Sequence, residues 1–411
     1  MRLVYDIGIR LYVFAVHLAA WFRPKARLWI QGRKNLFDEL RTFVAEKQPT
    51  AWFHCASLGE FEQGRPVIEA FKKQHPQYRI LLTFFSPSGF EVRKNYEYAD
   101  HVCYLPADTT RNARRFVEML NPALVVFVKY EYWHNFMHEI TRREIPLYIM
   151  SAIFRPSQYF FKWYGMRFLK NLDQITHFFV QNQHSADLLI DHGITQVSVT
   201  GDTRFDRVAA IASEKVSFPL IEAFASEHKN IIVAGSTWPA DEALLAKLLA
   251  GNPGKYKLVI APHEINESHL HSLETLFPMG SVRYSKARQD ELAGKQTLII
   301  DSIGMLSKLY RYARYAYVGG GFGAGIHNVP EAAVYGIPVI FGPNYRKFRE
   351  AVGLIENGGA YSINDYQGLA GIFRKLSDNE IAWQHSADAS REYVANQIGA
   401  TEKVMGAIQI K

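Results

Sequence analysis

Three loops in this chain of 411 residues carry side chains suited to acid–base and phosphate chemistry. In HCASLGEFEQGRP (54–66) an apolar run ends near Ala56, and Ser57, Gly59 and Glu60 open the next segment. Glu60 is a candidate general base, because a carboxylate at a helix N-terminus is favoured as the ion by the helix dipole and can take a proton from a hydroxyl within reach. The same Ser57-x-x-Glu60 spacing is also a capping box, in which the carboxylate only returns a hydrogen bond to the backbone. A helix starting at Ser57 would hold Pro66 in its interior, whereas one starting near Arg65 would leave Glu60 in a loop. Spacing alone leaves both readings standing.

The second loop is VGGGFGAGIHNVPEAAVYGIPVIFGP (318–343). Glycines such as Gly320 and Gly321 let backbone amides approach a phosphate, and a helix starting near Val329-Pro330-Glu331 would attract the anion. Glu331, in the first turn of that helix, could accept hydrogen bonds from a nucleotide ribose, and equally suits a helix start with no ligand. The third loop is AGSTWPADEALL (234–245), where Gly235, Ser236 and Thr237 allow close approach and offer hydroxyl donors. Followed by Asp241 and Glu242, it reads equally as a plain helix start. Pro262 and His263 end the next apolar run and could line the same pocket; a histidine there is often only a surface residue. There is no GxxxxGK[ST] loop, HExxH, GxSxG or Asp-x-Asp, so no metal site, serine mechanism or bound cofactor is expected. Gly319-x-Gly321-x-x-Ala324 imitates a dinucleotide fingerprint, but no acid follows the next strand to hold a ribose.

These loops need strands to hold them. Short apolar runs alternate with longer helix-like segments, the pattern of βα units on a parallel sheet. Strands are expected at 50–56, 79–84, 101–105, 123–128, 146–150, 176–180 and 196–199, then at 230–234, 257–261, 281–284, 297–300, 315–318 and 338–341. The two series predict two doubly wound α/β lobes, each presenting strand carboxyl ends to a shared cleft. The polar stretch 201–219 puts the boundary near Arg207.

A length of 411 residues and 48% hydrophobic content fit two globular lobes, and 21% charged residues exclude disorder. Cys55 and Cys103 lie in apolar runs without ligand spacing, which predicts neither a disulfide framework nor zinc and fits a reducing compartment. A net charge of +7 points to an acidic partner. Basic residues interleave with aromatics in YFFKWYGMRFLK (159–170), a pattern suiting lipid headgroups better than nucleic acid, and equally a core helix with a basic edge. Near the N-terminus, an apolar run from Leu11 to Phe22 precedes Arg23, Lys25 and Arg27. Lacking a cleavage site, it is not read as a signal peptide, and it is shorter than the ~20 apolar residues of a comfortable span. It reads as an interfacial anchor whose following charges keep the next lobe on the cytoplasmic side, with an ordinary amphipathic first helix as the plainer alternative.

Taken in order, the loops resemble the Kdo (3-deoxy-D-manno-oct-2-ulosonic acid) transferases of lipopolysaccharide synthesis, from about Leu28 to about Gly371. Ala56-Ser57-Leu58-Gly59-Glu60 resembles the family's Ala-Ser-Val-Gly-Glu, and Glu131 in KYEYWHN (129–135) resembles the second acid of Glu-x-Glu-x-Trp-Pro-Asn. Gly201-Asp202-Thr203-Arg204-Phe205-Asp206 resembles Gly-Asn-x-Lys-Phe-Asp, Gly235-Ser236-Thr237 matches Gly-Ser-Thr, and 326–331 resembles Gly-His-Asn-x-x-Glu. The chain departs from the pattern at Lys129, at Ile153 (with Arg155 two residues later), at Pro262-His263, which lacks an intervening arginine, and at Met305 between Gly304 and Leu306. The departures bear on the donor contacts.

The resemblance implies a GT-B glycosyltransferase with a membrane-associated helix at 1–27, an acceptor lobe at 28–207 and a donor lobe at 208–411. It further implies a cytidine monophosphate sugar donor, CMP-Kdo, a lipid A precursor as acceptor, no nucleic acid partner, and residence at the cytoplasmic face of the inner membrane with its anionic lipids. Glu60 and Glu131 would be catalytic. Gly235, Ser236, Thr237, Pro262, His263, Gly304, Met305, Leu306, Gly320, Gly321, Asn328 and Glu331 would hold the donor, and Ser57, Gly59, Arg155 and Arg204 the acceptor or the Kdo carboxylate. Two rival readings of the same loops are a transferase or epimerase using a uridine donor, and a membrane-docked nucleotide-sugar binding protein without catalysis.

Overall fold

The computed structural model describes residues 2–163, 165–226, 228–277, 280–292 and 294–410. The chain forms two compact units, Met1–Asp206 with Gly399–Lys411, and Arg207–Ile398.

Unit 1 is built on seven parallel strands: β1 (Thr50–Cys55), β2 (Arg79–Phe84), β3 (His101–Tyr104), β4 (Leu124–Val128), β5 (Leu147–Ala152), β6 (His177–Val180) and β7 (Val197–Val199). Their order is β3-β2-β1-β4-β5-β6-β7, so the winding reverses between β1 and β4. Phe53 pairs in register with Leu82 on one side and Val126 on the other. Every residue of β1, β4 and β5 is buried, because helices cover both faces, which is why these strands read as continuous apolar runs. Trp52, Phe116, Phe127 and Phe136 pack on one face, and Phe53, Phe61, Phe71 and Val126 on the other.

Unit 2 repeats the plan with β8 (Ile231–Thr237), β9 (Lys257–Pro262), β10 (Ser281–Arg283), β11 (Thr297–Ile299), β12 (Tyr315–Val318), β13 (Val339–Phe341) and β14 (Ala360–Ser362). The order β10-β11-β9-β8-β12-β13-β14 reverses between β8 and β12. Thirteen of these strands coincide with the expected runs. β14 was not anticipated, because its three residues, only one of them buried, make no apolar run.

The expected second lobe ran to residue 411, but the segment from Gly399 belongs to unit 1. Asp206 accepts the Gly399 amide and the Thr401 amide and hydroxyl, each at 2.6 Å, and Val404, Met405 and Ile408 enter the core beside Phe61. The expected anchor at 1–27 comprises a helix, Arg2–Ala19, and the start of a second, Pro24–Gln31, which Pro24 initiates. Among the described residues no helix is long and apolar enough to cross a membrane. The first helix is pinned by Tyr5, whose hydroxyl donates to Asp108 at 2.8 Å, and by Asp6, which accepts from the Thr110 amide and from Asn135. The aromatic stretch from Tyr159 forms a short 3-10 turn and the helix Met166–Leu172, with Phe160 buried and Trp163 exposed.

Candidate functional site

Open parallel sheets bind ligands at the carboxyl ends of the strands where the winding reverses. In unit 1 that point lies between β1 and β4, and the segments leaving these two strands carry Glu60 and Glu131. Glu60 stands in the first turn of the helix Leu58–Gln74, not in a loop. The helix accommodates Pro66 in its interior; proline has no N–H to give the Glu62 carbonyl, and the neighbouring Gln63 carbonyl takes the Thr203 hydroxyl at 2.5 Å. Ser57 makes no side-chain cap bond to the helix; its hydroxyl donates to the Glu60 carboxylate. Glu60 is partly exposed and Gly59 exposed.

Glu131 is buried. Its Oε2 accepts from Trp133 Nε1 at 2.6 Å and lies 3.2 Å from His54 Nε2. His54, on β1, is wholly buried, with Nδ1 3.1 Å from the Thr83 carbonyl and 2.8 Å from the Thr83 hydroxyl, which also accepts from Trp52 Nε1. A carbonyl only accepts, so Nδ1 is assigned its proton. His54 Nε2 is then left to accept from Trp133, 3.1 Å away, or, when protonated, to donate to Glu131. Cys55 senses both acids: burial raises its thiol well above the usual range, and the charges of Glu60, Glu131 and Glu62 add to the shift. Lys129 and Ser151 take left-handed φ angles of 72° and 54° at the ends of β4 and β5, strain of a kind that clusters at functional sites.

The expected acceptor-side arginines differ in their surroundings. Arg204 gives three bonds to the Asp202 carboxylate, at 3.2, 2.9 and 2.6 Å. Arg155 is exposed in the loop after β5, where its amide donates to Gln158.

In unit 2 the reversal falls between β8 and β12, which brings the Gly235–Thr237 end of β8 beside the glycine cluster after β12. Ser236 is left-handed, with φ 53°. Gly235 has no room for a Cβ against Leu306 and the Tyr310 hydroxyl, which fits Leu306 into the same corner. Met305 is held by the Ser302 hydroxyl at 2.9 Å, next to Gly304, whose φ of 91° favours glycine. The His263 amide donates to the Thr237 carbonyl at 2.9 Å, and Asn328 donates to Glu331 at 2.7 Å. The helix bearing Glu331, Pro330–Ala333, is a single turn, so the anion attraction expected of a full helix is small there.

Further residues that the sequence reading did not assign stand at these winding reversals. Asp241 is fully buried and accepts from the Trp238 amide at 3.0 Å, the Tyr317 hydroxyl at 2.8 Å and the Gly320 amide at 2.9 Å, tying the two loops together. The Gly320 amide is thereby committed to Asp241 instead of a phosphate. Thr237 likewise donates its hydroxyl to the buried Glu242, which also binds His269 at 2.9 Å; this leaves Ser236 as the loop's hydroxyl donor. Trp238, His263 and His327 form a ring cluster, with His263 stacked on Trp238 at 4.8 Å and on His327 at 4.5 Å. Burial and the neighbouring His263 lower the pKa of His327. In unit 1, His54 was likewise unassigned. An acid one turn into a helix after a strand was the only signal for Asp241, and nothing in the sequence marked His54 beyond its place in an apolar run.

Residues 32–207 match the family described as 3-Deoxy-D-manno-octulosonic-acid transferase (kdotransferase). A 3-deoxy-D-manno-octulosonic acid transferase of Aquifex aeolicus is 27% identical over 334 residues, covering 79% of this chain and 86% of the relative. One of Chlamydia trachomatis is 25% identical over 366 residues, covering 86% and 83%. Among solved structures, UDP-GlcNAc 2-epimerase from Neisseria meningitidis bound to UDP-GlcNAc aligns with a TM-score of 0.61 over 87% of this chain and 98% of that one, at 16% identity. Acinetobacter baumannii MurG aligns with a TM-score of 0.57 over 88% and 99%, at 15% identity. These two likenesses speak for the fold, two Rossmann-like units of the GT-B class.

Proposed function

We propose that the chain is a Kdo transferase, a glycosyltransferase that moves Kdo from CMP-Kdo to a lipid A precursor with inversion at the anomeric carbon. The observation that carries this reading is that each sheet places its candidate chemistry at its own winding reversal: the acids Glu60 and Glu131 in unit 1, the glycine and hydroxyl loops in unit 2. Glu60 removes the proton of an acceptor sugar hydroxyl, whose oxygen attacks the anomeric carbon as CMP departs, and a single displacement inverts the centre. Glu131, oriented by His54 and Trp133, supplies fixed negative charge toward the positive charge developing at that carbon. Ser57 and Gly59 shape the acceptor side.

On the donor side, the Ser236 hydroxyl and the backbone near Gly321 receive the phosphate, while Asn328 and Glu331 receive the ribose. Gly235, Thr237, Pro262, His263 and the corner of Gly304, Met305 and Leu306 form the walls. Arg155 is the better candidate for the Kdo carboxylate or an acceptor phosphate, since Arg204 is already engaged by Asp202. No cofactor is required. The protein lies on the cytoplasmic face of the inner membrane through its first helix, in contact with anionic lipids.

Glu60→Gln tests the reading. Turnover should fall by about 10²-fold to 10⁴-fold while CMP binding is spared; near-normal turnover would remove Glu60 as the base.

A further inference from the structure

The first helix does more than expose apolar residues. Leu3, Leu11 and Phe14 are 74%, 63% and 62% exposed, and Ile7 and Leu18 lie on the same side, a stripe at helical spacing with no covering element among the described residues. Arg10 sits within one turn of Ile7 and Phe14, and its side chain lines a groove of about 700 Å³ with Arg111, Arg114 and Arg115. These three come from the helix Thr110–Leu120, against which the first helix is pinned through Asp6.

Four guanidinium groups share this groove with two carboxylates, each of which pairs with one of the four and also binds a partner outside the groove. Asp6 accepts from the Thr110 amide and hydroxyl and from Asn135, leaving Arg10 at 3.9 Å. Glu118 is divided between Arg114 and Arg143, each at 3.6 Å. Arg115 lies over the Phe37 ring at 4.0 Å, and Arg111 has no ion pair among the described residues. Like charges gathered this closely repel unless an anion joins them, and arginine is the side chain best shaped for phosphate oxygens. An amphiphile meets both features at once: its phosphate in the groove, its acyl chains along the stripe.

We propose that Arg10, Arg111, Arg114 and Arg115 form a seat for the phosphate of an anionic bilayer phospholipid whose chains lie along the exposed stripe of the first helix. This rests on the reading that the helix meets a membrane, and it adds to it a defined headgroup site.

The test is co-sedimentation of the full chain with vesicles of phosphatidylcholine alone and of phosphatidylcholine mixed with phosphatidylglycerol. The anionic vesicles should be bound tighter by roughly tenfold or more. Arg111→Gln with Arg114→Gln should bring binding down to the neutral-vesicle level, as should the single reversal Arg111→Glu, while Lys229→Gln with Lys403→Gln, which removes equal charge at exposed positions outside the groove, should keep the preference. Both arginine variants are at exposed positions, and an unchanged unfolding temperature checks that they fold. Equal binding of both vesicle types by the unaltered chain overturns the seat and leaves the helix reading standing, whereas binding to neither overturns both. Preference kept in the arginine variants, or lost equally in the lysine control, also overturns the seat. Preference kept but transfer to the lipid acceptor lost would assign the groove to an acceptor phosphate and overturn the phospholipid assignment.

Discussion

His54 Nε2 lies 3.2 Å from Glu131 Oε2, joining a wholly buried strand residue to a carboxylate at the carboxyl end of the neighbouring strand. The pair continues a polar chain through Thr83 to Trp52 across β4, β1 and β2. Polar groups this deep in an apolar sheet cost stability unless every member is satisfied, so the chain earns its place by fixing Glu131.

A histidine that positions Glu131 predicts a split between its replacements. Asn at position 54 can imitate Nδ1 toward Thr83 but falls short of Glu131, whereas Gln can imitate Nε2. Steady-state kinetics should show His54→Asn lowering kcat by about tenfold or more with little change in donor KM, and His54→Gln recovering part of the loss. Equal kcat in the two variants would mean that the contact does not matter.

Asp241 should decide the shape of the donor loops. Asp241→Asn turns one acceptor oxygen into an amide facing donors, at a cost of about 1–3 kcal/mol. Calorimetric titration with CMP should show affinity reduced by about tenfold through misplacement of the glycine loop, with unit 2 still folded by circular dichroism. Unchanged CMP affinity would detach Asp241 from the donor site.

Nucleotide choice is read by thermal unfolding. Saturating CMP at about 100 times its Kd should stabilise unit 2 by about 2.7 kcal/mol, and UDP at the same concentration by less. Greater protection by UDP would favour a uridine donor.

Asp108 introduces a pH dependence. Burial pushes its carboxyl up to about 6, against the opposing pull of the Tyr5 hydroxyl and the Asn135 and Phe136 amides. With the folded value above the unfolded one, its contribution is complete below the ordinary carboxylate value of 3.8 and is lost as pH rises through about 6. The urea midpoint of unit 1 should therefore carry a component, up to roughly 3 kcal/mol, that declines across this window and is absent in Asp108→Asn. A profile identical in both proteins would exclude Asp108 as its source.

The sheets were legible because strands buried on both faces, such as Leu124–Val128, leave uninterrupted apolar runs. The strand-end positions of Glu60, the Gly235–Thr237 turn and the glycine cluster were legible because each follows an apolar run that folds as a strand. What was not legible depends on long-range pairing. The return of Gly399 and Thr401 to Asp206 crosses the whole second unit in sequence, and the spacing around Pro66 left open whether the helix bearing Glu60 begins before or after it. Asp241 has the sequence signature of any helix start, and its three partners come together only on folding.

The most direct measurement is mass spectrometry of a lipid A precursor after incubation with the full chain and CMP-Kdo. The acceptor should gain mass in whole Kdo increments with the unaltered protein, and none with Glu60→Gln. An acceptor of unchanged mass, from a folded protein that binds CMP, would contradict the assignment of Kdo transfer to this chain.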